Sequence, residues 1–218
     1  MNRSPRVLCG LCLLAATVFW LAGCAGSAPA SRYYVLAPPM AETAPASTRA
    51  VDGLRLGVET FAVDPPYDQP RLVYRVGRDA GEIGFYQHHR WASSPGRLVT
   101  TGLVAGLRDL DGLASVEPSS LTGTYDWVLT GRVVALEELD LPGRHIARIR
   151  VDLELHDVEV DAILWADMVE TEIEGQAADA SDIMAQMRRA FAALVVDVRT
   201  GVEEALNEHG KPGGQGAR

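Results

Sequence analysis

The chain has 218 residues and a formal net charge of −9, from 20 basic and 29 acidic side chains. That balance removes the attraction on which non-specific nucleic-acid binding and adhesion to anionic head groups depend. The length suits one domain with a core large enough to need no disulfide staple.

Arg3 and Arg6 precede an apolar run from Val7 to Trp20. The run has signal-peptide length and is short for a membrane-spanning helix. Leu21, Ala22, Gly23 and Cys24 follow it. This stretch resembles a bacterial lipobox. The resemblance implies cleavage between Gly23 and Cys24, a diacylglyceryl thioether on the Cys24 sulfur and acylation of the new amino terminus by a palmitate-like chain. One acyl chain holds a membrane only marginally, whereas two or three anchor it stably. Cys9 and Cys12 leave with the leader and Cys24 carries lipid, so no thiol is left for a disulfide. The expected organisation is a signal peptide over residues 1–23, a lipidated tether over 24–31, a domain over 32–210 and a disordered tail over 211–218. No second apolar stretch reaches spanning length.

Within the domain, "RYYVLA" reads as a short strand, and the Pro- and Ala-rich stretch from Pro38 to Gly53 as a loop. From Leu54 to Val63 the residues alternate, with Leu54, Leu56 and Val58 on one face. Asp64 to Pro70 break the pattern. "RLVYRV" and "EIGFYQ" form two strands around the hairpin loop Gly77 to Gly81. "SPGRLVTTGLVAGLRDLDG" is a helix, with Val99, Leu103, Leu107 and Leu110 at helical spacing and Ser94 before Pro95 as its N-cap. Gly102 and Gly106 either weaken that helix, by about 1 kcal/mol each where exposed, or allow close packing. Three long strands follow, over residues 126–139, 144–160 and 162–175, joined by short turns into a meander. In the middle one Ala147, Ile149, Val151, Leu153 and Leu155 share a face. Met184, Met187, Phe191, Leu194, Val198 and Val202 stripe a long last helix, capped at its start by Asp179 or Ser181 and followed by Gly210. The predicted fold is α+β: an antiparallel sheet with a central and a long C-terminal helix packed on one face.

"RYYVLAPP" soon after the cysteine, "HHRWASSPGRLVTTGLVAGL" in mid-chain, and three long strands before an amphipathic helix now support a family. The pattern resembles the ABC-type transport auxiliary lipoproteins, which include the paraquat-inducible auxiliary lipoproteins. The resemblance spans the mature chain. Its most specific pieces are Tyr33-Tyr34 with Leu36, and Arg90-Trp91-Ala92. The family's acidic residue and proline after Trp-Ala are replaced here by "SSP". The resemblance implies a non-enzymatic periplasmic component beside an ABC transporter whose MCE-domain subunit carries lipid between membranes.

The residues themselves offer little chemistry. His88 and His89 are neighbours on a strand and point to opposite faces, so both rings cannot easily meet one ion. His145, His156 and His209 show no ligand spacing. There is no G-x-S-x-G elbow and no Walker loop. The expectation is no catalytic residue, no metal and no cofactor beyond the covalent lipid. Trp91 and the last-helix stripe read as core, and Arg144, Arg148 and Arg150 beside Glu154 as a solvated ladder. Of Tyr33 and Tyr34, one packs and one is exposed. Partner contact is expected at the strand edge Ile83, Phe85, Tyr86 and Gln87, and at the loop Asp64 to Pro70 through Tyr67. Ala25 after the lipidated residue, rather than an aspartate, points to the outer membrane by the best-known sorting rule. An envelope assembly lipoprotein, similar to the accessory of a lipopolysaccharide-export barrel, and a soluble lipid carrier are the alternatives. A homo-oligomer stays open.

Overall fold

A computed structural model describes residues 29–36, 53–78, 81–120, 122–175 and 180–210. The expected signal peptide, Gly23 and Cys24, most of the tether, the Asp179 cap and the C-terminal tail lie outside these residues. The elements are β1 (Arg32–Tyr34), β2 (Leu54–Val58), β3 (Ala62–Val63), β4 (Arg71–Val76), β5 (Ile83–Trp91), α1 (Pro95–Leu107), β6 (Leu113–Pro118), β7 (Trp127–Leu141), β8 (Arg144–Asp157), β9 (Ala162–Gly175) and α2 (Ala180–His209).

The meander is present as β7, β8 and β9, paired antiparallel along their lengths. Pro142 and Gly143 turn the first hairpin, with Gly143 at φ +73°, a conformation glycine adopts without strain. That turn sets Leu141 opposite Arg144 and fixes the register as far as Ala135 opposite Arg150, beyond which a bulge between Val133 and Ala135 shifts it by one residue. The other edge of β7 differs from the pure meander. It is occupied in tandem by three short strands, all parallel to it: β2 against Trp127–Leu129, β3 against Arg132–Val133, and β4 against Glu137–Asp140. β6, which alternation in the sequence did not mark, pairs parallel outside β2. β5 pairs antiparallel outside β4, and β1 parallel outside β5. The result is a mixed, mostly antiparallel sheet with β7 as its spine.

Both helices cover one face of this sheet. Val99, Leu103 and Leu107 of α1 are fully buried, as are Phe191, Leu194, Val198 and Val202 of α2. They meet Leu56, Leu129, Val133, Ile149, Val151 and Leu155 in one continuous core. Trp91 is 3% exposed and belongs to the same core. Pro95 opens α1, but the Ser94 side chain makes no capping bond. Its backbone carbonyl instead accepts from the Leu98 N–H at 3.0 Å. Arg199 ties the two helices together by donating to the Gly106 carbonyl and to Asp109, each at 2.6 Å. None of the helices among the described residues is long and apolar enough to cross a membrane.

The two glycines of α1 are packing residues. A methyl group at Gly102 would overlap the Phe191 ring, and one at Gly106 would overlap Val195. The helix-propensity gain of alanine is therefore outweighed by overpacking. We expect Gly102→Ala to destabilise the protein by about 1 to 3 kcal/mol in urea unfolding. An exposed glycine would give the opposite sign.

Candidate docking edge

β5 is where the sheet is left open beside the start of the domain. On one side it pairs with β4: Val73 with Phe85, Tyr74 with Gly84, Arg75 with Ile83. On the other, β1 covers only His89, Arg90 and Trp91. Among the described residues, no strand pairs with the outer edge of Ile83–His88. An edge of this kind presents unpaired N–H and C=O groups that an extended segment of another chain can complete.

The β4–β5 hairpin is held to the spine through two adjacent buried carboxylates. Glu137 is 0% and Glu138 is 3% exposed. As neighbours on β7 they point to opposite faces of the sheet. On the helix-free face, Glu137 accepts from Arg75 Nε of β4 at 3.1 Å, from the Tyr67 hydroxyl at 2.7 Å, and from Arg148 of β8. Arg75 also donates to the Tyr67 oxygen at 3.0 Å. Burial pushes the Tyr67 phenol up to about 12, and its bond to Glu137 pushes the same way. A small second core roofs the group, with Tyr67, Val73 and Ala135 buried and Ile83 and Phe85 packed against them.

On the helix face Glu138 accepts from the Tyr86 hydroxyl of β5 and meets His145 Nδ1 of β8 at 2.6 Å. Burial first, then the bond to Glu138, raises the Tyr86 phenol far above its ordinary range. An aromatic chain continues outward. Tyr86 stands edge-on to Tyr74 and to His89, and the Tyr34 ring of β1 stacks on His89 with centroids 5.7 Å apart. Tyr34 Oη and His89 Nδ1 lie 2.8 Å apart. His89 therefore fastens β1 to β5.

The expected contact residues separate in this geometry. Gln87 is exposed on the open edge. Ile83 and Phe85 are half-buried on the second core, and the Arg71 guanidinium lies 4.6 Å from the Phe85 ring centroid. Tyr86 is half-buried with its hydroxyl spent on Glu138. Tyr67 is a correction: it is 5% exposed and turned inward onto Glu137, so the loop Asp64 to Pro70 presents other atoms to solvent. The arginine ladder is a second correction. Arg148 is only 16% exposed at its side chain and reaches the buried Glu137, while Arg144 and Arg150 stay at the surface with Glu174 and Glu170. The two buried glutamates went unread in the sequence. Their signal was "LEEL" inside an apolar strand, with Arg148 brought opposite Glu137 by the Pro142–Gly143 turn.

Removing the charge of Glu137 takes away the fully buried carboxylate that the half-buried Arg75 and Arg148 share with the Tyr67 hydroxyl. We expect Glu137→Gln to cost about 3 to 5 kcal/mol in urea unfolding, and Arg78→Ala, at the exposed Arg78–Glu172 pair, under about 1 kcal/mol. The raised phenol values favour the neutral form in the fold. Their stabilisation is complete below the ordinary tyrosine value near 10 and is lost as pH rises through about 12 for Tyr67. In a spectrophotometric titration at about pH 11, Tyr67 and Tyr86 are expected to stay protonated until the chain unfolds. Tyr67→Phe and Tyr86→Phe should each remove one late-titrating phenol.

The fold has solved relatives. A protein from Xanthomonas campestris assigned to the family DUF330 superposes with a TM-score of 0.64 at 17% identity, covering 81% of this chain and 99% of its own. A second crystal structure, of an uncharacterized protein, gives 0.61 at 19% identity, covering 80% and 99%. No curated protein matches the chain. The model of the ABC-type transport auxiliary lipoprotein component matches residues 34–199, from the tyrosine that fastens β1 to the arginine that ties α2 to α1. The chain therefore belongs to the ABC-type transport auxiliary lipoprotein component family.

Proposed function

We propose that this protein is a non-enzymatic, lipid-anchored auxiliary component of an ABC/MCE-type lipid transport system, which acts by docking to the MCE-domain subunit through the open edge of β5. The family match over residues 34–199 carries the reading. Cys24 is the acylated residue, and the outer membrane, facing the periplasm, holds the anchor. Seven tether residues, Ala25 to Ser31, extend over about 25 Å. The domain then stays near its own membrane and meets a partner that has crossed most of the periplasm.

Two features support docking over a carrier role. The buried Glu137 and Glu138 clamps stiffen the β4–β5 hairpin, which lowers the ordering cost of adding a strand to it. The groove over β7, β8 and β9, about 530 Å³, is open, and its lining mixes Arg132, Asp152, Glu154 and Asp167 with Leu153, Ala166 and Met168. A lipid carrier needs an enclosed apolar cavity instead.

The test is site-specific photocrosslinking in cells. A photoreactive residue at Gln87 is expected to yield an adduct with the MCE-domain subunit. One at Val196, 60% exposed on the outer side of α2, is expected to yield none. Absence of the Gln87 adduct overturns the docking edge. Cys24→Ser should abolish lipid incorporation and release the protein from the outer-membrane fraction. Wild-type protein recovered with a free Cys24 thiol would overturn the anchor.

A further inference from the structure

A row of side chains crosses the helix-free face at the edge where the tether enters. In the β1–β5 register Tyr33 lies beside Arg90, and in the β4–β5 register Arg90 lies beside Arg71. Their chain neighbours Trp91 and Leu72 are in the main core on the opposite face, and Tyr34 packs against it. The row therefore points away from the helices. Tyr33 is 65% exposed, and Val35, two residues on, is 53% exposed.

The charges on this row differ from those on most of the sheet, although Arg32 on the helix side of β1 also meets a hydroxyl, Ser181 Oγ at 3.1 Å, rather than a carboxylate. Arg75, Arg132, Arg144, Arg148 and Arg150 each have a carboxylate within 4.0 Å. Arg71 donates to Gln69 and lies over Phe85, and neither it nor Arg90 has a carboxylate partner among the described residues. In a chain of net charge −9, two arginines with no carboxylate partner among the described residues stand in one row with an exposed tyrosine, and an exposed valine follows it, where the domain begins.

We propose that this face, through Tyr33, Val35, Arg71 and Arg90, rests on the phospholipid headgroup layer of the membrane that holds the Cys24 anchor. The proposal rests on the lipid-anchor reading above. Three observations choose that occupant. The chain between Cys24 and Arg32 reaches about 25 Å at full extension, so this edge is the part of the domain held nearest the bilayer. Tyrosine suits the interface because its ring is apolar and its hydroxyl is wet. Guanidinium groups match phosphate oxygens in planar, bidentate geometry. The overall acidity opposes adhesion of the free protein. The anchor supplies the proximity, and the local row sets which face turns down.

The test uses the full mature lipoprotein in vesicles of phosphatidylethanolamine with a minor fraction of phosphatidylglycerol. A fluorophore is placed on a single added cysteine, in Tyr33→Cys or, as the control, in Val160→Cys. Val160 is 67% exposed in the β8–β9 turn, on the opposite side of the sheet. Headgroup-labelled quencher lipids are expected to quench the label at 33 several-fold more than the label at 160. Adding Arg71→Glu and Arg90→Glu should remove most of that difference while the protein still floats with the vesicles. Flotation with equal quenching at the two positions overturns the face and leaves the anchor standing. Loss of flotation for protein without those glutamates overturns the anchor and the proposal with it.

Discussion

Two neighbouring carboxylates on one strand hold this sheet in its arrangement. Glu137 and Glu138 are both buried, and the alternation of a strand sends them to opposite faces. Each would be costly alone, because an uncompensated buried charge is among the most destabilising features a fold can contain. Each is answered from both sides of β7. Arg75 and Tyr67 reach Glu137 from the β4 side and Arg148 reaches it from β8. Tyr86 reaches Glu138 from β5 and His145 reaches it from β8. The β4–β5 hairpin is thus bolted through the sheet rather than only laddered to its edge. Apolar residues could supply comparable stability; what the two carboxylates add is a set of hydrogen-bond partners drawn from β4, β5 and β8.

That set of partners matters because of how β7 is used. Its β8 edge is a hairpin, with register set by Pro142 and Gly143 as far as the bulge between Val133 and Ala135. Its other edge accepts three short strands in tandem, none connected to it by a tight turn. Short parallel strands drawn from far away in sequence have weak local guidance and pay loop-closure entropy first. A hydrogen-bonded ion group that fits only one register compensates for that lack.

The same division explains what the sequence made legible. The meander and the two helices announce themselves by period: Ala147 to Leu155 at every second residue, Met184 to Val202 at helical spacing. The burial of Trp91 followed from its place at a strand-to-helix junction. The strands β1, β2 and β4 are legible as strands, but their parallel pairing is not, since pairing direction leaves no trace in alternation, and β6 is too short and mixed to stand out. The candidate edge was readable as a strand flanked by a hairpin loop, because its pairing with β4 is local. Which of its side chains face out was not. Tyr67 and Tyr86 look like surface aromatics until their hydroxyls are traced to glutamates that a strand pattern treats as solvent-facing. Arg148 misled for the same reason: one strand apart, its partner lies in another segment.

The pairing of β1 sets how the domain resists being pulled. β1 is only three residues long and runs parallel to β5. A pull on the chain ahead of Arg32, directed along the strand, shears its ladder and loads the bonds together. A pull away from the sheet would open them one at a time. Behind the ladder stand the Ala92 N–H on the Tyr34 carbonyl at 2.7 Å, the Tyr34–His89 stack, and Leu36, 3% exposed in the main core. Tension arriving from the amino-terminal side is therefore passed to the interior within a few residues, and the mechanical strength of the attachment depends on the direction of the force.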